Sequence, residues 1–177
     1  MRIEPLKLKD AALIRLDRHA DDRGFFARSF CTEEFARAGL PTSFPQHNIS
    51  FNRLAGTLRG LHFQIPPHEE PKVIRCTSGA IFDVIVDLRE GSPTYAQWFG
   101  AELSARNGDA LYAPPGFGHG FQTLRDDTEV CYLMGTAFIA GAAGGIRYDD
   151  PRLGIAWPRP VSAISDRDLA LPTLPPA

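Results

Sequence analysis

The sequence predicts an all-β protein of the sandwich or barrel class, and three observations carry that reading. From residue 44 onward apolar and polar residues alternate in short runs, the period-two pattern of strands with one buried face. Turn-forming residues separate the runs: Pro66-Pro67, Ser78-Gly79, Gly91-Ser92-Pro93, Asn107-Gly108, Pro114-Pro115-Gly116 and Asp126-Asp127. The 177 residues include 16 Gly and 15 Pro, more breaks than a helical bundle tolerates. The length fits a single domain, residues 1–177, able to bury roughly 70% of its unfolded surface. No repeat, low-complexity block or second domain is visible.

Residues 1–20 read as a pair of strands, with residues 12–16 the clearer of the two. Asp21-Asp22-Arg23-Gly24 reads as a turn leading into an aromatic strand at Phe25-Phe26. Residues 32–39 carry a capping residue, Thr32, an acidic first turn, an apolar interior and a final glycine, so they form a short helix. Strands are then expected at 44–52, 57–64, 72–77, 80–88, 96–103, 109–113, 119–124, 128–139 and 145–149. Many short strands at this spacing exclude a parallel βαβ sheet. The proline-rich tail from Asp150 includes one helical turn between Ser165 and Leu171.

The net charge is −2 and the pI near 6.2, which gives no general attraction to nucleic acid or to anionic membranes. Cys31, Cys76 and Cys131 form no CxxC pair, so reduced, buried, structural thiols in a cytoplasmic protein are expected. The first ten residues are charged throughout, without the apolar core of a signal peptide. Residues 130–146 run 17 positions without a charge, but their four glycines suit a buried strand and a glycine-rich loop better than a membrane span.

The chain is organised around Thr57-Leu58-Arg59-Gly60-Leu61-His62-Phe63-Gln64. On a regular strand His62 and Gln64 share one face and Arg59 takes the other, so a bend or bulge at Gly60 is expected if Arg59 is to join them. The plain alternative is a solvated strand face. A second set of polar residues answers this stretch. Gly108-x5-Pro114-x-Gly116-x2-His119 is the spacing of the second sequence motif of the cupin superfamily, a jelly roll also described as a double-stranded β-helix. The first cupin motif overlays residues 62–79. Where a metal-binding cupin offers two histidines and a glutamate, this chain has His62-Phe63-Gln64. His68 and Glu70 would join a metal site only if their proline-rich loop folded inward.

Without a metal, two histidines in a barrel mouth suit acid–base chemistry, because an imidazole titrates near neutrality. A carboxylate that fixes the tautomer improves such a base, and Asp83, Asp87 and Asp168 are candidates by residue type. Asp87 is better explained by an ion pair with Arg89 at a strand end. Lys72 suits neutralisation of an enolate or phosphate, or else a surface role. Alternation puts Val130, Tyr132 and Met134 on one face, so Tyr132 is either a core residue or an acid opposite a histidine.

Taken together, these residues resemble the dTDP-4-dehydrorhamnose 3,5-epimerase family. The resemblance rests on Asp22-Arg23-Gly24-Phe25-Phe26, Gln46-x-Asn48-x-Ser50, residues 58–64, Lys72-Val73-Ile74-Arg75-Cys76 and residues 83–89. It continues through Pro115-Gly116-Phe117-Gly118-His119-Gly120-Phe121, Tyr132, Asp149-Asp150-Pro151, Ile155-x-Trp157-Pro158 and Ser165-x-x-Asp168. It implies a cupin-type jelly roll with a few short peripheral helices. It also implies a homodimeric enzyme that needs neither cofactor nor metal and acts on a nucleotide-linked 4-keto-6-deoxyhexose. Under it His62 is the base, Asp168 its orienting carboxylate and Tyr132 the acid on the opposite face. Lys72 and Arg59 bind the ketone and diphosphate region, and His119 lines the sugar pocket. Arg23, Phe25, Gln46 and Asn48 hold the nucleotide, partly across the dimer interface.

Three departures from the family pattern are visible: Arg28 in place of an acidic residue, Phe138 beside Ile139 in place of a second tyrosine, and a glycine-rich 141–145. The first bears on the nucleotide base and the second on whether one or both carbons are epimerised. A single-centre epimerase on a related dTDP, CDP or GDP sugar, a metal-dependent cupin and a non-catalytic sugar-binding cupin remain open alternatives.

Overall fold

The computed structural model describes residues 1–175. Strands β1 (Arg2–Pro5) and β2 (Ala12–Arg15) pair antiparallel, and β3 (His19–Asp21) and β4 (Gly24–Phe26) form a separate exposed hairpin. The helix α1 (Thr32–Arg37) follows. The body of the chain is β5 (Gln46–Asn52), β6 (Leu58–Gln64), β7 (Lys72–Ser78), β8 (Ala80–Asp87), β9 (Trp98–Ser104), β10 (Ala110–Ala113), β11 (Phe117–Thr123) and β12 (Thr128–Met134). A 3-10 turn (Ala140–Ala142), a short β13 (Ala143–Gly145) and α2 (Asp166–Leu169) complete it.

Two antiparallel sheets result, in the orders β1-β2-β10-β7-β12-β5 and β13-β6-β11-β8-β9. Consecutive strands such as β7 and β8 lie in different sheets, as a jelly roll requires. Alternation sorts the side chains as anticipated. Ile81 and Ile85 of β8, Ile74 and Cys76 of β7, Leu111 of β10, Phe117 and Phe121 of β11 and Val130 of β12 meet between the sheets. Fully burying one such side chain contributes about 1.5–3 kcal/mol, so this layer supplies the main stabilisation. The opposite parity covers the outer faces. Val73 and Tyr112 pack under Phe35 of α1, and Val84 and Val86 pack under Ile146, Leu153 and Leu174 of the returning tail.

Some boundaries differ from the sequence expectation. The strand expected over 128–139 stops at Met134, because the Gly135 amide turns to donate to Pro71 O at 2.8 Å. A Cβ at Gly135 would lie 2.3 Å from the Pro71 ring, so only glycine fits that junction. The strand expected at 145–149 is instead Ala143–Gly145; backbone bonding to β6 ends with Ile146 opposite Leu61, after which Arg147 turns to Asp149 and to Pro172 O. Thr32 is the first helical residue rather than the cap; Cys31 precedes it without a side-chain cap, and buried Phe35 anchors the helix. Cys76 alone is buried among the three free cysteines, while Cys31 and Cys131 are half-buried. Among the described residues no helix is long and apolar enough to cross a membrane.

The expected irregularity in β6 is present. Against β11, His62 faces His119 while Arg59 faces Phe121, so three steps along β6 match two along β11. The extra residue is taken up at Gly60, whose φ of 126° lies where only glycine is at ease. A Cβ there would stand 2.5 Å from Gly120 Cα, so the close approach of the two backbones needs both glycines. The bulge gives Arg59 the parity of His62, and both line one cavity.

Candidate active site

One end of the space between the sheets is open, and there the inward parity changes from apolar to polar. The resulting cavity of about 340 Å³ is the size of a small-molecule site. From the five-stranded sheet it receives Arg59, His62 and Gln64 of β6 and His119 of β11. The six-stranded sheet contributes Asn48 and Ser50 of β5, Lys72 of β7, and Tyr132 and Met134 of β12. Glu70, Phe138 and Arg167 close its sides.

His62 Nε2 lies 2.7 Å from Asp168 Oδ1, and Asp168 Oδ2 accepts from the Gly60 amide at 3.2 Å. The carboxylate is set by α2, where the Ser165 hydroxyl accepts from the Asp168 amide. With Nε2–H given to Asp168, Nδ1 is left as the basic atom of the ring. Burial lowers the His62 pKa below 6.5, against the upward pull of Asp168, and His119 and Lys72 lower it further. His62 is therefore a neutral base at pH 7, and its side chain remains 41% exposed.

His119 forms a second pair, Nε2 to Asp83 Oδ1 at 2.7 Å, with both side chains buried. Burial pushes the Asp83 carboxyl upward, against the pull of His119. Of the three aspartates open as histidine partners, Asp168 and Asp83 take that role. Asp87 does not: against the push of burial, bonds from Arg89, Ser92 and Thr94 hold its carboxyl down to about 2.

Tyr132 meets the His119 ring edge-on at 5.8 Å. Burial drives its phenol far above the ordinary range, so it holds its proton at neutral pH and can serve as a donor. Lys72, anticipated as either functional or exposed, is 5% exposed. Its Nζ sits 2.7 Å from Glu70 Oε1 and donates to His62 O at 3.3 Å. Burial lowers its pKa and Glu70 opposes that shift. Arg59 Nε donates to Asn52 Oδ1 at 2.7 Å.

Gln64 occupies the place where a metal cupin has a histidine, and its bonds are internal. Its Nε2 donates to His68 O and Ala137 O, and its Oε1 accepts from the Ile139 amide at 2.6 Å. Among the described residues no three His, Cys, Asp or Glu side chains converge as a metal site would need. Gln46 sits behind the wall, bonded to Asn48 and to the Phe138 amide. Arg23 and Phe25 are not brought to the cavity of their own chain. They lie on the exposed hairpin, where Arg23 pairs with Asp21 and Arg18 sits over the Phe25 ring. Arg28 pairs with Glu34.

Sequence reasoning missed three polar wall residues as contributors to this site. Ser50 shares the parity of Gln46 and Asn48 and was reachable by alternation. Glu70 was visible only as a conditional metal ligand, and Arg167 carries no local signal.

A phenol on one sheet and a carboxylate-backed imidazole on the other, flanking a cavity of small-molecule size in a cupin-type barrel, are groups of the kind that a proton-moving isomerase needs. The sequence model of the dTDP-4-dehydrorhamnose 3,5-epimerases matches residues 5–175. A dTDP-4-dehydrorhamnose 3,5-epimerase of Sinorhizobium fredii is 41% identical over 98% of this chain and 90% of its own length. A dTDP-4-dehydrorhamnose 3-epimerase of Streptomyces niveus is 38% identical over 95% and 81%. The crystal structure of the Bacillus anthracis 3,5-epimerase, with TDP and PPi bound, superposes with a TM-score of 0.93 at 42% identity, covering 98% of this chain and 99% of that one. The chain belongs to the dTDP-4-dehydrorhamnose 3,5-epimerase family.

Proposed function

We propose that the protein epimerises a nucleotide-linked 4-keto-6-deoxyhexose, converting dTDP-4-dehydro-6-deoxyglucose to dTDP-4-dehydrorhamnose. The observation that carries this reading is the opposed pair of proton-transfer groups: His62, backed by Asp168, on one sheet and Tyr132 on the other. A 4-keto group acidifies the hydrogens on carbons 3 and 5, since each carbanion delocalises onto the ketone oxygen as an enolate. His62 removes such a proton, the Lys72 ammonium stabilises the enolate oxygen, and Tyr132 returns a proton from the other face. The centre is thereby inverted without net redox change, and the step asks for no cofactor or metal. His119, held by Asp83, lines the sugar pocket, and Arg59 meets the diphosphate.

A specific observation favours a narrower variant. Phe138 at the cavity rim is 55% exposed and presents no hydroxyl, which suits inversion at one carbon only. Proton NMR in heavy water with dTDP-4-keto-6-deoxyglucose separates the two. Deuterium is expected at carbons 3 and 5 for the double epimerase and at one carbon for the single. Uptake at neither would overturn both readings.

The active form is a homodimer. Phe25 and Phe26 on the β3–β4 hairpin and Ile49 and Phe51 on the edge strand β5 are exposed apolar residues. In the dimer Arg23 and Phe25 reach the nucleotide site of the partner subunit, which Gln46 and Asn48 bound from within. Sedimentation is expected to give twice the 19.5 kDa chain mass; a monomer would refute this arrangement. The near-neutral charge supports action on a small molecule rather than nucleic acid, and the three free cysteines support a cytoplasmic location.

A further inference from the structure

The loop between β6 and β7, residues 65–71 with three prolines, reaches the cavity wall at Glu70 and is stitched down at four points. Gln64 Nε2 donates to His68 O, and the Ile65 amide donates to Ala142 O. The Thr136 hydroxyl donates to Glu69 O and the Gly135 amide to Pro71 O. These bonds carry Glu70 inward, where it is 7% exposed and lines the cavity. One carboxylate oxygen holds Lys72 at 2.7 Å. The other, Oε2, is buried and has no hydrogen-bond partner among the described residues. A buried, unpartnered carboxylate oxygen is costly, and Glu70 lines the cavity wall, where a donor on a bound ligand would relieve that cost.

We propose that Glu70 is a functional residue of this cavity: Oε1 fixes the Lys72 ammonium, and Oε2 accepts a hydrogen bond from the substrate hydroxyl next to the ketone. The inference rests on the 4-keto-sugar reading above. Oxygens on adjacent ring carbons lie about as far apart as a hydrogen-bonded ammonium and carboxylate. A ketone oxygen on Lys72 therefore brings the vicinal hydroxyl to Glu70. The charge of Glu70 also opposes the downward shift that burial imposes on Lys72. The other charged or titratable groups around the cavity are His62 with Asp168, His119 with Asp83, Tyr132, Arg59 and Arg167. Glu70 is the carboxylate in contact with the ammonium.

Glu70→Gln and Glu70→Asp separate the two roles. Glu70→Gln removes the counter-charge, so the alkaline limb of kcat is expected to move down by about one pH unit or more. Its KM should rise about tenfold. Glu70→Asp keeps the charge but retracts it, and should restore the alkaline limb while leaving KM raised. For a substrate analogue lacking the 3-hydroxyl, wild-type KM rises, and Glu70→Gln adds little further loss. Wild-type KM and pH profile in Glu70→Gln, or strictly additive losses with the analogue, would overturn the inference. Deuterium uptake by the wild-type enzyme is the control for the underlying reading. If that control fails, a 15N-lysine NMR titration of the unliganded protein still tests the pair. The expected result is a lower Lys72 pKa in Glu70→Gln, and an unmoved value would overturn it.

Discussion

His62→Asn is expected to lower kcat by about 10³-fold in the epimerisation assay, and to abolish deuterium uptake at every carbon that the wild type exchanges. The expectation follows from the position of the ring. His62 combines a carboxylate partner at 2.7 Å with an open side toward the cavity, whereas His119 is closed in against Asp83. Asparagine keeps a polar group near Asp168 but cannot take a proton. The pH dependence has a definite sign. Burial lowers the His62 pKa below 6.5, so the neutral base persists into mildly acidic solution. The acid limb of kcat/KM should therefore fall below pH 6.5 and disappear in the variant. A wild-type limb above 6.5, or residual activity above a tenth, would remove His62 from the role of base.

Lys72→Met should have two separable effects. The first is on rate: losing the cation at the enolate oxygen is expected to lower kcat by about 10²–10³-fold. The second is on stability. Glu70 is left as a buried carboxylate without its partner, which costs about 3–5 kcal/mol. For a chain of this length that corresponds to a fall in Tm of about 10 °C or somewhat more. Adding Glu70→Gln removes the stranded charge, so the double variant should recover most of the lost Tm but none of the rate. Differential scanning calorimetry beside the kinetic assay reads both. Full recovery of activity in the double variant would show that Lys72 serves the fold alone.

The all-β class, most strand positions and the parity of the inward residues were legible in the sequence, because each depends on local geometry. Val130, Tyr132 and Met134 share a face for the same reason that Ile74 shares one with Lys72. A strand's pleat has period two wherever it runs. The Asp87–Arg89 pair was equally legible, since two residues at a strand end can reach each other without help. Even the irregular step at Gly60 followed from a conflict of parity within seven residues. The strand ends at Met134 and Gly145 were less so, because Pro71 and Pro172, far away in the chain, decide them.

The identity of the partners was decided by the tertiary structure. His62 could have met Asp83, Asp87 or Asp168, and it meets the one 106 residues away, delivered by the one-turn helix in the tail. Asp83 goes instead to His119. Glu70 changes from an ordinary loop residue into half of a buried ion pair because distant groups, Gly135 and Thr136, tie its loop down. Local pattern specifies which way a side chain points along its own strand. Which group it faces depends on sheet order, on register and on how the loops close. Those are set by the packing of the two sheets as a whole, and no window of sequence contains them.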